Sequence, residues 1–465
     1  MASSDPDWEA LGSAIDGDVV LPGTPAAEGL PKTFNARFHD MVPTAMARCA
    51  SPEDVVEAIS FAGRNGLELA VRSGGHCLAG RSSSRGLVVD VSPMDTVAVA
   101  NGLATVGAGA RLGQVYDALQ AHGLAIPAGT CPAVGVAGLT LGGGLGILGR
   151  THGVTSDRLV AARVVLADGR IVDCDEHRHE DLFWALRGAG AGNFGVVTSL
   201  VFRPVPAPDA TNFHLAWPFE TAASVVAAWQ AWAPDGPDGL AASLKVTVAG
   251  ELGRAPSVDV YGALLGRESD ATGPIGRLVD LAGSDPVASW SEHMSFPETR
   301  RWWADLGVDD HDPIEHPVLF ARSEFFRRAM PPQVVAGLLE RFTGGRAAGE
   351  ARELDFMPWG GAYNRIPADA TAFVHRDERF QLKHAAVVDP GASTDARDSA
   401  ARWVARSWDS VHPAASGRVF QNFPDPDLED RGESYYGPNL GRLLRVKARY
   451  DPSNLFRFDQ SLPVR

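Results

Sequence analysis

Val71-Arg72-Ser73-Gly74-Gly75-His76-Cys77-Leu78-Ala79-Gly80 and Pro127-Ala128-Gly129-Thr130-Cys131-Pro132-Ala133-Val134-Gly135-Val136-Ala137-Gly138-Leu139-Thr140-Leu141-Gly142-Gly143-Gly144-Leu145-Gly146 are the two stretches on which the reading of this chain turns. Each surrounds one potential nucleophile with glycine, His76 in the first and Cys131 in the second. Glycine lets backbone N–H groups crowd around an anion, as nests and helix N-termini do around phosphate. A single Gly-Gly pair reads as readily as a tight turn. Two stretches of this density, each with a nucleophile, point instead to a bound anionic group.

A rival lies inside the second stretch. Gly144-Leu145-Gly146-Ile147-Leu148-Gly149 matches G-x-G-x-x-G. A dinucleotide fingerprint must follow a strand, open a helix and meet an acid about 20 residues on. The residues before Gly144 are too rich in glycine for a strand, and Asp168 sits in an Asp-Gly turn. An NAD-dependent dehydrogenase is the alternative of another class.

Outward from these stretches the chain alternates short helices and strands. Ser51-Pro52-Glu53-Asp54 reads as N-cap, first-turn proline and two acids suited to the helix dipole. Val55, Val56, Ile59 and Ala62 supply its apolar face, and Asn65-Gly66 stops it. Strands are expected over 67–71 and 87–91, and a helix from Leu112 to Gly123. Asn101-Gly102 and Asp168-Gly169 mark hairpins. The absence of a regular βαβ period predicts an α+β fold. Past residue 205 come Pro204, Pro206 and Pro208 as a linker-like stretch, then Trp217, Trp229, Trp232, Trp290, Trp302 and Trp303. A domain boundary is expected there.

The 465 residues carry 42 basic and 57 acidic side chains, a net charge of −15 that lacks the basic footprint of a nucleic-acid-binding protein. Glycine, at 50 residues, is in excess. Cys49, Cys77, Cys131 and Cys174 are too widely spaced for a zinc pattern or a disulfide framework. His177/His179 and His311/His316 lack a zinc-site spacing, so no metal is expected. No apolar run approaches the ~20 residues of a membrane span. The first residues lack a basic n-region and an apolar h-region, which predicts a cytoplasmic protein.

VRSGGH and AGTCPAVGVAGLTLGGGLG resemble the flavin domain of the berberine-bridge-enzyme-like oxidases, within the vanillyl-alcohol-oxidase/para-cresol-methylhydroxylase superfamily. The tail agrees: Tyr435-Tyr436-Gly437-Pro438-Asn439, Tyr450-Asp451-Pro452-Ser453-Asn454-Leu455-Phe456 and Gln460-Ser461-Leu462-Pro463 resemble that family's closing segment. The resemblance implies FAD joined covalently through its 8α-methyl to His76 and through C6 to Cys131. It further implies flavin contacts from Arg72, Ser73, Gly74, Gly75, Gly129, Thr130, Gly135, Gly138, Gly142, Gly143, Gly144, Gly146, Asp157, Gly195, Val197, Tyr436 and Asn439. Val134 matches the position that gates oxygen in relatives, and valine there resembles the oxidase state with O2 as acceptor. Cys77 is expected to point away by alternation, and Cys49 and Cys174 to be structural.

Two positions depart from the family pattern. Phe420-Gln421-Asn422-Phe423-Pro424-Asp425 stands where sugar-oxidising relatives carry Tyr-x-Asn-Tyr-x-Asp, so Phe420 cannot be the base. Leu139 stands where a polar residue could support reduced flavin. Tyr363, His384 and Glu378 are the remaining base candidates. Residues 1–205 completed by 413–465 are expected to form the FAD-binding domain, and 206–412 an antiparallel-sheet substrate domain with covering helices. The expected reaction is hydride transfer from an alcohol or hemiacetal carbon of a carbohydrate or bulky secondary metabolite, with O2 giving H2O2. Amine oxidation or oxidative cyclisation remains open beside it.

Overall fold

The computed structural model describes residues 6–306 and 316–464. Near residue 50 local sequence and structure coincide. The Ser51 hydroxyl accepts from the Asp54 amide to cap the helix Pro52–Asn65, and Gly66 closes it at φ 61°. Val55, Ala58, Ile59 and Ala62 form its buried face. The face packs against parallel strands Ala45–Arg48, Leu87–Asp90 and Leu69–Arg72, with Asp18–Val20 antiparallel at the edge.

Both expected hairpins form. Ala100 pairs with Leu103 and Val165 with Ile171. Asn101 and Gly102, at φ 53° and 75°, take the left-handed conformations that a tight hairpin turn requires. Their strands belong to a five-stranded antiparallel sheet ordered Val97–Ala100, Leu103–Gly107, Val196–Phe202, Leu159–Val165, Ile171–Asp175. The helix Leu112–Gln120 stops before Gly123, which serves the following turn instead.

Beyond residue 210 the chain builds a seven-stranded antiparallel sheet. Its order is Ala288–Met294, Ala210–Pro218, Ser257–Leu265, Leu240–Val248, Ala351–Pro358, Phe380–Val388, Val318–Phe326. Period-2 alternation sorts its two faces. Phe213, Leu215, Leu244, Val246, Leu354, Phe356 and Leu382 point into a core covered by Ala222–Trp232, Thr272–Ala282, Pro332–Glu340 and Thr394–Val411. Tyr261, Lys245, Glu353, Asp355 and Lys383 occupy the other face, toward the glycine stretches. The fold is α+β, with two bodies around separate cores.

The tail returns to the first body. Leu443, Val446, Tyr450, Phe456 and Leu462 join its core. The ammonium of Lys447, on the helix Leu440–Tyr450, is fully buried; it donates to Asp451 at 2.7 Å and to the carbonyls of Asn193 (2.8 Å) and Phe456 (2.6 Å). The bodies are bolted together by Arg376, whose guanidinium donates to both Asp157 oxygens at 2.7 and 2.9 Å. No helix among the described residues is long and apolar enough to cross a membrane.

Candidate active site

The strand Leu69–Arg72 delivers the first glycine stretch, and the helix Val136–Leu141 begins where the second ends its turn at Gly135. The two stretches touch at one point. A β-carbon on Gly74 would lie 2.3 Å from the Gly135 nitrogen, and one on Gly135 2.3 Å from the Gly74 nitrogen. Only two glycines let these backbones meet, and their meeting brings His76 and Cys131 to one wall. Ser73 anchors the turn through a 2.7 Å bond to the Ala108 carbonyl, and the His76 ring stacks on Phe34 with centroids 4.3 Å apart.

That wall faces a cavity of about 850 Å³, within the range of cofactor-sized pockets. Ser73, Gly74, Gly75, His76, Gly129, Thr130, Cys131, Val134, Gly135, Gly138, Gly146, Gly195, Val197 and Tyr436 all line it. The amides of Gly74, Gly75 and Cys77 meet no protein acceptor among the described residues. Ser82 Oγ, also on the lining, is buried without a hydrogen-bond partner. Open amides on a glycine turn and an orphan hydroxyl suit the polar and phosphate groups of a dinucleotide, so the residues present fit FAD.

Other residues expected at the flavin, Arg72, Gly142, Gly143, Gly144, Asp157 and Asn439, are not among those lining the cavity. Arg72 donates to the Ser82 carbonyl behind the turn. A β-carbon would meet Asn422 Oδ1 at 1.9 Å from Gly142, the Phe373 ring at 2.6 Å from Gly143, and Thr155 Oγ1 at 2.2 Å from Gly144. Protein atoms leave no room for a side chain at any of the three. Asp157 is consumed by Arg376, and Asn439 donates to the Ala368 carbonyl at 2.7 Å. Cys77, expected to point away, lines the cavity as well.

The dehydrogenase alternative loses its context. Gly144 follows the helix Val136–Leu141 instead of a strand, and Gly149 opens only the single-turn helix Gly149–His152. Cys49 and Cys174 are buried as expected; burial pushes the Cys174 thiol up to about 12 and Cys49 higher still. Among the described residues no group of three His, Cys, Asp or Glu side chains could hold a metal ion. His311 lies outside the described residues.

The base candidates fare unevenly. Tyr363 lines the cavity, but it is buried against Trp359 at 4.4 Å and its hydroxyl donates to the Gly146 carbonyl at 3.5 Å. Burial raises its pKa further. His384 faces the covering helix, where Nδ1 meets Ser407 Oγ at 2.8 Å, and burial lowers its pKa to about 3. Neither His384 nor Glu378 lines the cavity. Both departures from the family pattern do: Leu139, and Phe420 in a cluster with Phe325, Phe373 and Phe423.

Glu378 has a structural consequence instead. Burial outweighs Arg327, 3.6 Å away, and raises its pKa to about 7 from an ordinary 4.5. A carboxyl whose folded-state pKa is raised contributes stability below the unfolded value and loses it as pH rises through the folded one. Glu378→Gln is therefore expected to gain up to about 3 kcal/mol over the parent at pH 8 and little at pH 5. Urea unfolding at the two pH values measures this; equal midpoints at pH 8 would contradict it.

The sequence reading missed the polar side of the cavity. Lys245, Glu353, Asp355 and Lys383 project into it from three adjacent strands beside Tyr261. Glu353 Oε2 lies 3.1 Å from Lys245 Nζ and Oε1 3.1 Å from Lys383 Nζ; Asp355 Oδ2 lies 3.6 Å from Lys383. The available signal was Glu353-Leu354-Asp355-Phe356, acids alternating with apolar residues in a strand.

Residues 43–175 match the model of the FAD binding domain family, and 419–463 match the berberine and berberine-like family. The chain is 34% identical over 461 residues to the uncharacterized FAD-linked oxidoreductase YvdP of Bacillus subtilis (strain 168), covering 97% of this chain and 98% of that protein. It is 32% identical to xylooligosaccharide oxidase of Thermothelomyces thermophilus over 93% of this chain and 90% of that protein. The solved structure of a chitooligosaccharide oxidase superposes with a TM-score of 0.86 at 26% identity, covering 98% of this chain and 99% of that one. A flavin-sized cavity between two meeting glycine stretches, and likeness along nearly the whole chain, lead to one conclusion: this chain belongs to the berberine-bridge-enzyme-like family of FAD-linked oxidoreductases.

Proposed function

We propose that this protein is an oxidase carrying FAD on His76 and Cys131. It takes hydride from an alcohol or hemiacetal carbon, and O2 collects the electrons as H2O2. The observation that carries the reading is the Gly74–Gly135 contact, which places both nucleophiles on the wall of one cavity. An imidazole nitrogen and a thiolate can each attack an electron-poor ring. Bound there, FAD supplies the two-electron acceptor.

The chain's own residues position and deprotonate the substrate. Tyr261 and Trp303, with ring centroids 5.2 Å apart, offer aromatic surface on the lining to the C–H face of a sugar. Lys245 and Lys383 balance Glu353 and Asp355, so this wall is close to neutral and rich in hydrogen-bonding groups. A neutral polyhydroxylated substrate suits it better than a cationic amine. The relatives named for oxidising xylooligosaccharides and chitooligosaccharides support the same class. Val134, half-buried near Cys131, keeps that part of the wall small, which suits O2 access.

Peroxide release by the purified holoprotein tests the reading across sugars, oligosaccharides, glycosides, polyketide alcohols and amines. Saccharides are expected to release peroxide and amines to stay silent. A response to amines alone would overturn the alcohol reading.

A further inference from the structure

The segment 33–38 lies along the His76 stretch as a strap, outside the residues 43–175 that match the FAD binding domain family. It grips that stretch at three points. The Phe34 amide donates to the Gly75 carbonyl at 3.0 Å. Asn35 is fully buried and commits its whole side chain to the join. Its nitrogen donates to the carbonyls of Leu78 and Leu319, both at 2.9 Å. Its oxygen accepts from the amides of Leu319 and Arg37 at 3.0 and 3.2 Å. Phe38 closes over Gly80, where a β-carbon would stand 2.5 Å from the ring.

The outer side of the strap is fixed to the second body. The Ala36 amide donates to the Pro317 carbonyl at 3.0 Å, and the Arg37 guanidinium lies 4.6 Å from the centroid of the Phe320 ring. Leu319 and Phe320 belong to the edge strand Val318–Phe326. The His76 stretch is therefore clamped, through the strap, to the rim of a seven-stranded sheet.

What the strap offers to His76 is the Phe34 ring. The two rings stack with centroids 4.3 Å apart and planes within 17°. The His316 ring packs against Phe34 at an angle of 60°, with centroids 6.2 Å apart, so Phe34 is wedged between two imidazoles. Phe34 and His76 both line the cavity. At that spacing the His76 ring turned edge-on would drive its atoms into the Phe34 face, so the stack fixes the imidazole plane. The consequence is chemical. The lone pair of an imidazole nitrogen lies in the plane of the ring, and a fixed plane gives the nitrogen a fixed line of attack. A thiolate carries lone pairs in several directions and needs no such alignment.

We propose that Phe34 is a positioning residue for the attachment of FAD to His76, and that Asn35 holds the strap that carries it. The proposal rests on the covalent reading above and applies to the His76 link alone. In the attachment, the imidazole N–H bond and one C–H bond of the flavin methyl break, and both hydrogens leave as protons. The electron pair on nitrogen makes the new C–N bond, and the pair from the C–H bond passes into the flavin ring. O2 then removes those two electrons and, with two protons, departs as H2O2.

The test separates the two links. C131A leaves only His76 to attach flavin, and H76A leaves only Cys131. Full-length protein produced under riboflavin limitation is mixed with FAD, and acid-stable flavin is followed over time by absorbance and intact mass. F34A/C131A is expected to attach flavin about 10²-fold more slowly than C131A at saturating FAD, with the half-saturating FAD concentration changed only a few-fold. F34Y/C131A, which keeps a flat ring, should match C131A. F34L/C131A, which keeps bulk without a flat face, should stay slow. F34A/H76A should attach flavin to Cys131 as fast as H76A does. A rate for F34A/C131A within a few-fold of C131A, or equal slowing in F34A/H76A, would overturn the proposal, the second by showing that Phe34 merely supports the cavity. If F34A does not fold, the comparison of F34L with F34Y decides, and equal rates for those two would overturn it. Absence of acid-stable flavin from C131A itself would sink the His76 link and the proposal together. Attachment in C131A that is indifferent to Phe34 would sink only the role of the strap.

Discussion

Gly74→Ala protein is expected to emerge without flavin. The added methyl would sit 2.3 Å from the Gly135 nitrogen and 2.7 Å from its Cα, and both are backbone atoms that cannot rotate aside. One stretch must withdraw, which separates His76 from Cys131 and disturbs the cavity-lining turn at Gly74 and Gly75. Gly135→Ala should do the same from the other side, since its methyl would strike the Gly74 nitrogen and Ser73 Oγ, 2.4 Å away. Gly63→Ala is the control: its β-carbon meets nothing within 4 Å on the helix Pro52–Asn65, where alanine is the better helix former by about 0.5–1 kcal/mol. The flavin-to-protein absorbance ratio after purification reads all three. Full flavin content in Gly74→Ala would contradict the contact.

Lys447→Met carries the largest expected loss of stability. The ammonium is fully buried, and Asp451 opposite it, also fully buried, accepts in addition from the Leu455 and Phe456 amides at 2.8 and 2.9 Å. Methionine preserves the packing but strands a buried carboxylate and two carbonyls, at a cost of about 3–5 kcal/mol. Because one of those carbonyls belongs to Asn193 on the cavity lining, flavin retention should fall with stability. Urea unfolding measures the first effect and absorbance the second. Lys447→Met/Asp451→Leu should recover part of the loss, since an apolar pair leaves no uncompensated charge. A loss under about 1 kcal/mol in the single variant would contradict this account of the tail.

What was legible in the sequence was what local chemistry specifies. Ser51 and Gly66 delimit their helix, Asn101-Gly102 and Asp168-Gly169 turn their hairpins, and His76 and Cys131 stand out because glycine surrounds them. What was illegible depends on partners distant in the chain. Asp157 looked like a flavin contact until Arg376, 219 residues on, claimed both its oxygens. Glycine abundance could not separate Gly74 and Gly135, which make room for each other, from Gly142 and Gly143, which make room for Asn422 and Phe373. The charged wall was hidden for the same reason. Asp355 acquires its meaning only from Lys383 and Lys245 across the sheet, and register over such separations is not written in any one strand. Tyr363 and His384 were attractive by residue type, but burial raises the pKa of the first, and the second faces the covering helix, where burial lowers its pKa.

Acid precipitation of the purified protein decides whether the two glycine stretches hold the cofactor through both nucleophiles. Yellow colour should stay in the pellet for the parent protein, for His76→Ala and for Cys131→Ala, and pass wholly into the supernatant only for the double variant. Free flavin from the parent protein, or full release by either single change, would contradict it.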